Sequence, residues 1–241
     1  MKETPPKSGQ SRSRTIRLSW ALVSAALALA VGFAAGAIAA TTAGGSGSSV
    51  AGGAAPTDSG PGATEAIVGT NPHYLSGSAA SRVTVVEFTD YQCPWCARMA
   101  PVLERLASEY GNDVAIVPRH FPLDFHANAP AAGRAVEAAH LQGAFKTMST
   151  MIYERQENWK NLPPSEAANA FASYATELGL DPARFDADFA AAATLKAVTD
   201  DKAAGEKLGV RGTPTIFIQG KTTDARSYPE LKTLIDRALA R

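Results

Sequence analysis

Cys93-Pro94-Trp95-Cys96 constrains this chain more than any other stretch. These are its only two cysteines, and they stand where one periodicity gives way to another. Before them, Val83-Thr84-Val85-Val86-Glu87-Phe88 is nearly continuous in apolar and β-branched residues, the pattern of a buried strand over Val83–Thr89. After them, Ala97 through Tyr110 reads as a helix, opening at Cys93 or Pro94 because proline is tolerated in a first helical turn. The first sulfur therefore falls at a helix N-terminus. Unpaired N–H groups and the helix dipole favour a thiolate there. A thiolate is the attacking and leaving species of thiol–disulfide exchange. The pair reads as a redox-active dithiol, with Cys93 the nucleophile and Cys96, one turn deeper, the resolving thiol.

Other uses of two cysteines need more than this chain offers. Zinc usually takes four Cys or His ligands. Only His73, His120, His126 and His140 stand beside the pair, and none shows the His-x₃₋₅-His spacing. Two thiolates suffice for Cu(I), so a copper-binding module is a rival of a different class, although no Met cluster or nearby His supports it. A purely structural disulfide would close a tiny loop and remove little entropy from the unfolded chain. The expectation is a site with no metal and no organic cofactor, the disulfide itself carrying the electrons.

The chain has 241 residues and a formal net charge of zero, so its charge points to no nucleic-acid partner. The charge is unevenly spread. Residues 1–17 carry Lys2, Lys7, Arg12, Arg14 and Arg17 against Glu3 alone and form a basic tail. Leu18–Ala40 has no charged residue, and as a helix would span roughly 35 Å, enough for a hydrocarbon core of about 30 Å. The basic flank orients such an anchor with its N-terminus in the cytoplasm. Everything after Ala40 then lies outside, where disulfides persist. Ala37-Ile38-Ala39 resembles a signal-peptidase site, so a cleaved leader is the alternative; the length of the apolar run and Trp20 at its edge favour an uncleaved anchor. Gly32 and Gly36 give the span a GxxxG spacing, which in membrane helices can bring two copies together. Residues 41–64, rich in Gly, Ser, Ala and Thr, read as a flexible tether with a reach of roughly 25–30 Å.

The folded part is expected over 65–241. Ala66–Gly69 reads as a short first strand. Pro101 should kink the cysteine helix, and Gly111-Asn112 should end it. Val114–Arg119 is a second strand, with Pro118 marking its end. From about 124 to 208 the sequence is Ala-rich and helical, divided by Pro163-Pro164 and Asp181-Pro182. Thr215–Gln219 is a strand turned back by Gly220-Lys221, and Pro229–Ala240 is an amphipathic helix with Leu231, Leu234, Ile235 and Leu239 on one face.

This order, with Val85-Val86-Glu87-Phe88-Thr89-Asp90-Tyr91-Gln92-Cys93-Pro94-Trp95-Cys96 and Arg211-Gly212-Thr213-Pro214-Thr215, closely resembles the DsbA-like branch of the thioredoxin superfamily. The resemblance covers roughly Glu65 to Arg241. It implies an α/β, thioredoxin-like fold with an inserted α-helical domain, here preceded by a single transmembrane helix. It implies a cis Thr213–Pro214 peptide lying against the dithiol and offering backbone groups to an extended substrate. It implies a buried Glu87 that relays a proton to or from Cys96, and Pro94 and Trp95 at the rim in contact with substrate. Arg119-His120-Phe121-Pro122-Leu123 resembles the family segment that leads into the insertion. The Pro-Trp dipeptide departs from the Pro-His of strong oxidants and the Gly-Pro of thioredoxin.

The implied function is a protein disulfide oxidoreductase anchored in a bacterial cell membrane. It would introduce disulfides into secreted or envelope proteins, with a quinone-linked membrane partner reoxidising it. A reductase or isomerase on the same fold is the alternative, and a holdase for unfolded chains or the copper module a non-enzymatic one. His120 and His126 read as structural or loop residues. Tyr91, Phe121 and Phe125 read as walls of the site or as core.

Overall fold

The computed structural model describes residues 61–241. The basic tail, the expected anchor over 18–40 and nearly all of the tether lie outside the described residues. Among the described residues no helix is long and apolar enough to cross a membrane.

The apolar run at 83–89 forms strand β1 (Val83–Thr89), and the next forms β2 (Val114–His120), parallel to it with Val83 opposite Val114 and Glu87 opposite Pro118. Between them runs α2 (Pro94–Tyr110), the crossover a parallel pair requires. On the other side of β1 lies β3 (Thr215–Ile218), antiparallel, then β4 (Lys221–Thr223), so the strand order is β2-β1-β3-β4. Gln219 and Gly220 join β3 to β4 with φ of 49° and 78°, the two positive angles that a two-residue hairpin turn of matching twist needs.

Side chains alternate across β1. Val83 and Val85 face a core built with Leu103 and Leu106 of α2 and Leu231 and Ile235 of the C-terminal helix α9 (Tyr228–Leu239). Val86 and Phe88 face the opposite way, toward Ile67, Val117 and Phe217. By the same two-residue period Glu87 and Thr89 lie on the α2 side.

Six helices fill 129–207: α3 (Ala129–His140), α4 (Phe145–Glu154), α5 (Gln156–Trp159), α6 (Pro164–Glu177), α7 (Pro182–Ala190) and α8 (Ala192–Lys207). Asp181 caps α7, its carboxylate accepting from the Arg184 N–H at 3.0 Å. Their shared core holds Ala132, Val136, Met148, Trp159 and Phe171, and it also takes in Tyr91, Cys93 and Cys96. The dithiol thus sits on the seam between sheet and insertion.

Two sequence expectations are corrected. Ala66–Gly69 is no strand: it ends the helix α1 (Pro61–Val68), whose last turn closes by the Gly69 N–H on Glu65 O at 3.0 Å and stops at Gly69 with φ +85°. The place beside β2 is filled later in the chain, where Leu75 N–H donates to Ile116 O at 2.8 Å and Ile116 N–H to Ser76 O at 3.1 Å. Nor does Pro118 end β2, which runs two residues further. Ile116 donates outward to Ser76, so the nitrogen of Pro118, two residues on, also faces outward, and no ladder bond to β1 is lost. The α2 helix continues through Pro101, which has no N–H to give the carbonyl of Ala97.

Candidate active site at the strand to helix junction

Cys93 is the N-cap residue of α2, in extended conformation with φ −73° and ψ 123°. Pro94 occupies the first helical position, where a missing N–H costs nothing. The following N–H groups, of Trp95 and Cys96, are among the orphan donors of the first turn, beside the Cys93 side chain at the N-cap. Both cysteines are free thiols and buried. The hydrogen bond from the Cys96 thiol, helped by the Cys96 N–H, the neighbouring Thr213 side chain and the Trp95 N–H, outweighs burial and brings the Cys93 thiol down to about 5. Burial pushes the Cys96 thiol well above its ordinary value, and the hydrogen bond it gives Cys93 and the nearby Glu87 charge push it further. One sulfur is thus ready as a thiolate while the other holds its proton.

The structure brings the remaining expected residues to these sulfurs. The Thr213–Pro214 peptide is cis, and the Cys93 thiol lies 3.5 Å from the Thr213 carbonyl oxygen. The Thr213 hydroxyl is buried without a hydrogen-bond partner. Pro94 and Trp95 are exposed at the rim, Trp95 at 63%, with the Arg98 guanidinium 4.7 Å from its ring centre.

Glu87 is 3% exposed on the α2 face of β1, and one of its carboxylate oxygens is buried with no hydrogen-bond partner. Burial raises its carboxyl to about 8. The two-residue period places Thr89 next along the same face, where its hydroxyl pairs with that of Tyr153 from α4 at 2.7 Å. A carboxyl whose folded value is raised makes folding less favourable as pH climbs from the unfolded value near 4.5 through about 8. In the disulfide form, where neither sulfur titrates, Glu87→Gln is therefore expected to gain stability on wild type between pH 5 and pH 9, on the order of 3–5 kcal/mol. Denaturant melts at the two pH values check this; an unchanged difference would contradict a buried, proton-holding Glu87.

Several residues of the site were not singled out from sequence. Asp90 has a fully buried side chain. Its Oδ1 accepts the N–H of Gln92 at 2.7 Å and of Cys93 at 3.2 Å; its Oδ2 accepts the N–H of Leu123 at 2.8 Å and pairs with His126 Nδ1 at 2.8 Å. An Asp three residues before the cysteine, between strand and helix, is the sequence signal of such a side-chain turn. From the insertion, Gln156 Nε2 donates to Tyr91 O at 2.8 Å and Cys93 O at 3.1 Å. Gln92 Oε1 accepts the Asn128 N–H, and Asn128 Nδ2 holds the carbonyls after α5. Tyr91 and Phe121 are core, whereas Phe125 is 77% exposed. His120 is buried on Glu137 Oε1 at 2.7 Å, a carboxylate it shares with His73 at 2.8 Å. Those two hydrogen bonds overcome burial and hold Glu137 below the ordinary carboxylate range, and Glu137 in turn raises the His120 imidazole against its burial. Among the described residues no cluster of three or more His, Cys, Asp or Glu is arranged to hold a metal ion.

A mixed sheet with a reactive dithiol at the first strand–helix junction, a cis-proline loop against it and a helical block inserted after β2 defines a class. The thioredoxin family model matches residues 69–237, and the chain belongs to that family. A thioredoxin-like oxidoreductase from Silicibacter pomeroyi DSS-3 superposes with a TM-score of 0.60 at 26% identity, covering 73% of this chain and 97% of the other. The thiol-disulfide exchange protein alpha-DsbA2 from Wolbachia pipientis shares the fold with a TM-score of 0.62 at 18% identity, over 72% of this chain and 90% of that one. Among curated proteins, a Na(+)/H(+) antiporter NhaA of Herminiimonas arsenicoxydans is 33% identical over 148 residues, which is 61% of this chain but 22% of that protein. The chain therefore spans less than a quarter of the curated relatives it matches.

Proposed function

We propose that the chain is a thiol:disulfide oxidoreductase that donates the Cys93–Cys96 disulfide to cysteine-containing proteins outside the cytoplasm. The observation that carries this reading is the placing of two free thiols at the start of α2, Cys93 at the N-cap and 3.5 Å from the carbonyl of the cis Thr213–Pro214 peptide, with Cys96 fully buried one turn on. A substrate thiolate attacks the sulfur of Cys93 in the disulfide. Cys96 leaves as a thiolate and takes the proton held by Glu87. The substrate is then joined to Cys93. A second substrate thiolate attacks the substrate's own sulfur, the new disulfide departs with the substrate, and Cys93 leaves as a stable thiolate. A low leaving-group pKa speeds that last step and stabilises the reduced enzyme, which makes the disulfide a strong oxidant.

Thr213, Pro214, Pro94 and Trp95 would hold the substrate: the cis-proline loop with backbone groups, the rim with apolar surface. In this reading the 18–40 segment anchors the catalytic part outside a bacterial cell membrane. A quinone-linked membrane partner restores the disulfide, and no metal or organic cofactor enters. The named oxidoreductase and thiol-disulfide exchange neighbours support the chemistry by analogy of fold.

The test is oxidation of a reduced dithiol peptide by the pre-oxidised full chain, with acid quenching and thiol alkylation. One peptide disulfide should form per Cys93–Cys96 disulfide consumed, and a Cys93→Ser chain should form none. Equal oxidation by the Cys93→Ser chain would overturn the proposal.

A further inference from the structure

We propose that His126 is a positioning residue for the nucleophile, acting through Asp90 to hold the turn that presents Cys93. The inference rests on the reading of Cys93 as the attacking sulfur. Asp90 is a carboxylate with a fully buried side chain one turn from that sulfur. A charge in such a place must be matched by hydrogen bonds or an opposite charge. Three of its partners are backbone N–H groups, of Gln92, Cys93 and Leu123. The fourth, His126, is its single side-chain partner among the described residues. Lys202, which reaches the same loop, is committed to Asp124.

The two oxygens divide the labour. Oδ1 fixes the N–H groups of Gln92 and Cys93, and so the angle at which the chain enters α2. Oδ2 faces the loop after β2, where His126 meets it at 2.8 Å with its side chain 16% exposed. The exposed Phe125 stands beside it, its ring 4.5 Å from the imidazole. A loop carrying an exposed aromatic is thereby tied by one side chain to the turn that precedes Cys93. Without that tie, the carboxylate is less held, the Gln92 and Cys93 N–H groups it fixes are looser, and the first turn of α2 is less well aligned with the Cys93 thiolate. The other titratable groups facing that sulfur, Cys96 and Glu87, are unchanged by the substitution.

The experiment is the rate of iodoacetamide alkylation of Cys93 against pH in the reduced full chain, for wild type, His126→Ala and His126→Asn. Cys96 is fully buried, so the alkylation reads Cys93. In His126→Ala the midpoint should move upward, lowering the reactive fraction below the midpoint about threefold to tenfold, the worth of one hydrogen bond. His126→Asn, which keeps a donor for Oδ2, should stay near wild type. A midpoint in His126→Ala equal to wild type, even with a lower melting temperature, makes His126 merely structural and overturns the proposal. So does His126→Asn behaving like His126→Ala. Failure of the redox reading is distinguishable: it would show as a wild-type pair that does not equilibrate with glutathione, whatever the alkylation profile.

Discussion

Replacing Cys96 by serine is expected to reduce oxidative turnover to background while leaving Cys93 fully able to attack a disulfide. The reason is stoichiometric: without Cys96 no internal disulfide exists to be donated. Cys93 keeps its place at the start of α2, and the serine hydroxyl keeps a donor where the Cys96 thiol stood. Offered glutathione disulfide, the Cys96→Ser chain should accumulate one mixed disulfide per molecule, visible as a single glutathione adduct by mass spectrometry. In wild type the same adduct should be short-lived, because an aligned internal thiol attacks at an effective concentration of about 10⁵ M or more. The reciprocal Cys93→Ser chain should form almost no adduct, since the Cys96 sulfur is buried and its proton tightly held. Equal labelling of the two variants would remove the distinction between nucleophile and resolving thiol.

Trp159→Ala is expected to destabilise the protein by about 3–5 kcal/mol, the usual cost of emptying a large aromatic site in a core. Trp159 is fully buried, lies edge-on to Phe171 with ring centres 5.0 Å apart, and donates its indole N–H to Ile152 O at 2.9 Å. Its own carbonyl accepts from Asn128, and the α5 turn it anchors carries Gln156 to the carbonyls of Tyr91 and Cys93. The loss is thus expected in the insertion core and in the strap over the dithiol. Against a typical total of about 5–15 kcal/mol it is a large share. Denaturant unfolding should show a lower midpoint at unchanged slope; a loss below about 1 kcal/mol would mean that the site collapses around the cavity.

The parts of the fold that were legible in the sequence are those set by local pattern. The apolar run of β1, the proline-opened helix behind the dithiol, the Asp181 cap and the Gly220 turn each follow from residues within a few positions of one another. Ala66–Gly69 misled because three apolar residues in a row carry no period. Ile67 alone is buried against the sheet, and one turn of helix buries it as well as a strand would. Pro118 misled because its meaning depends on which side of the edge strand its nitrogen faces, and that is fixed by Ser76, forty-two residues earlier in the chain.

The same division holds in the site. Cys93, Cys96 and Pro94 are contiguous, and Glu87 and Thr213-Pro214 came from the family pattern. Gln156 and Asn128 were invisible because their contacts with the active-site loop span 63 and 36 residues. Asp90 lies within reach of local pattern, as an Asp three residues before Cys93 between strand and helix.

The central claim, that this dithiol is a disulfide donor, is tested most directly by its equilibrium redox potential in the full chain against glutathione buffers. A Cys93 thiolate stabilised to near pH 5 favours the reduced form, so the expected potential is about −120 to −180 mV, the range of strong protein oxidants. A value near about −270 mV, that of thioredoxin, would contradict disulfide donation and make the chain a reductase supplied with electrons from elsewhere.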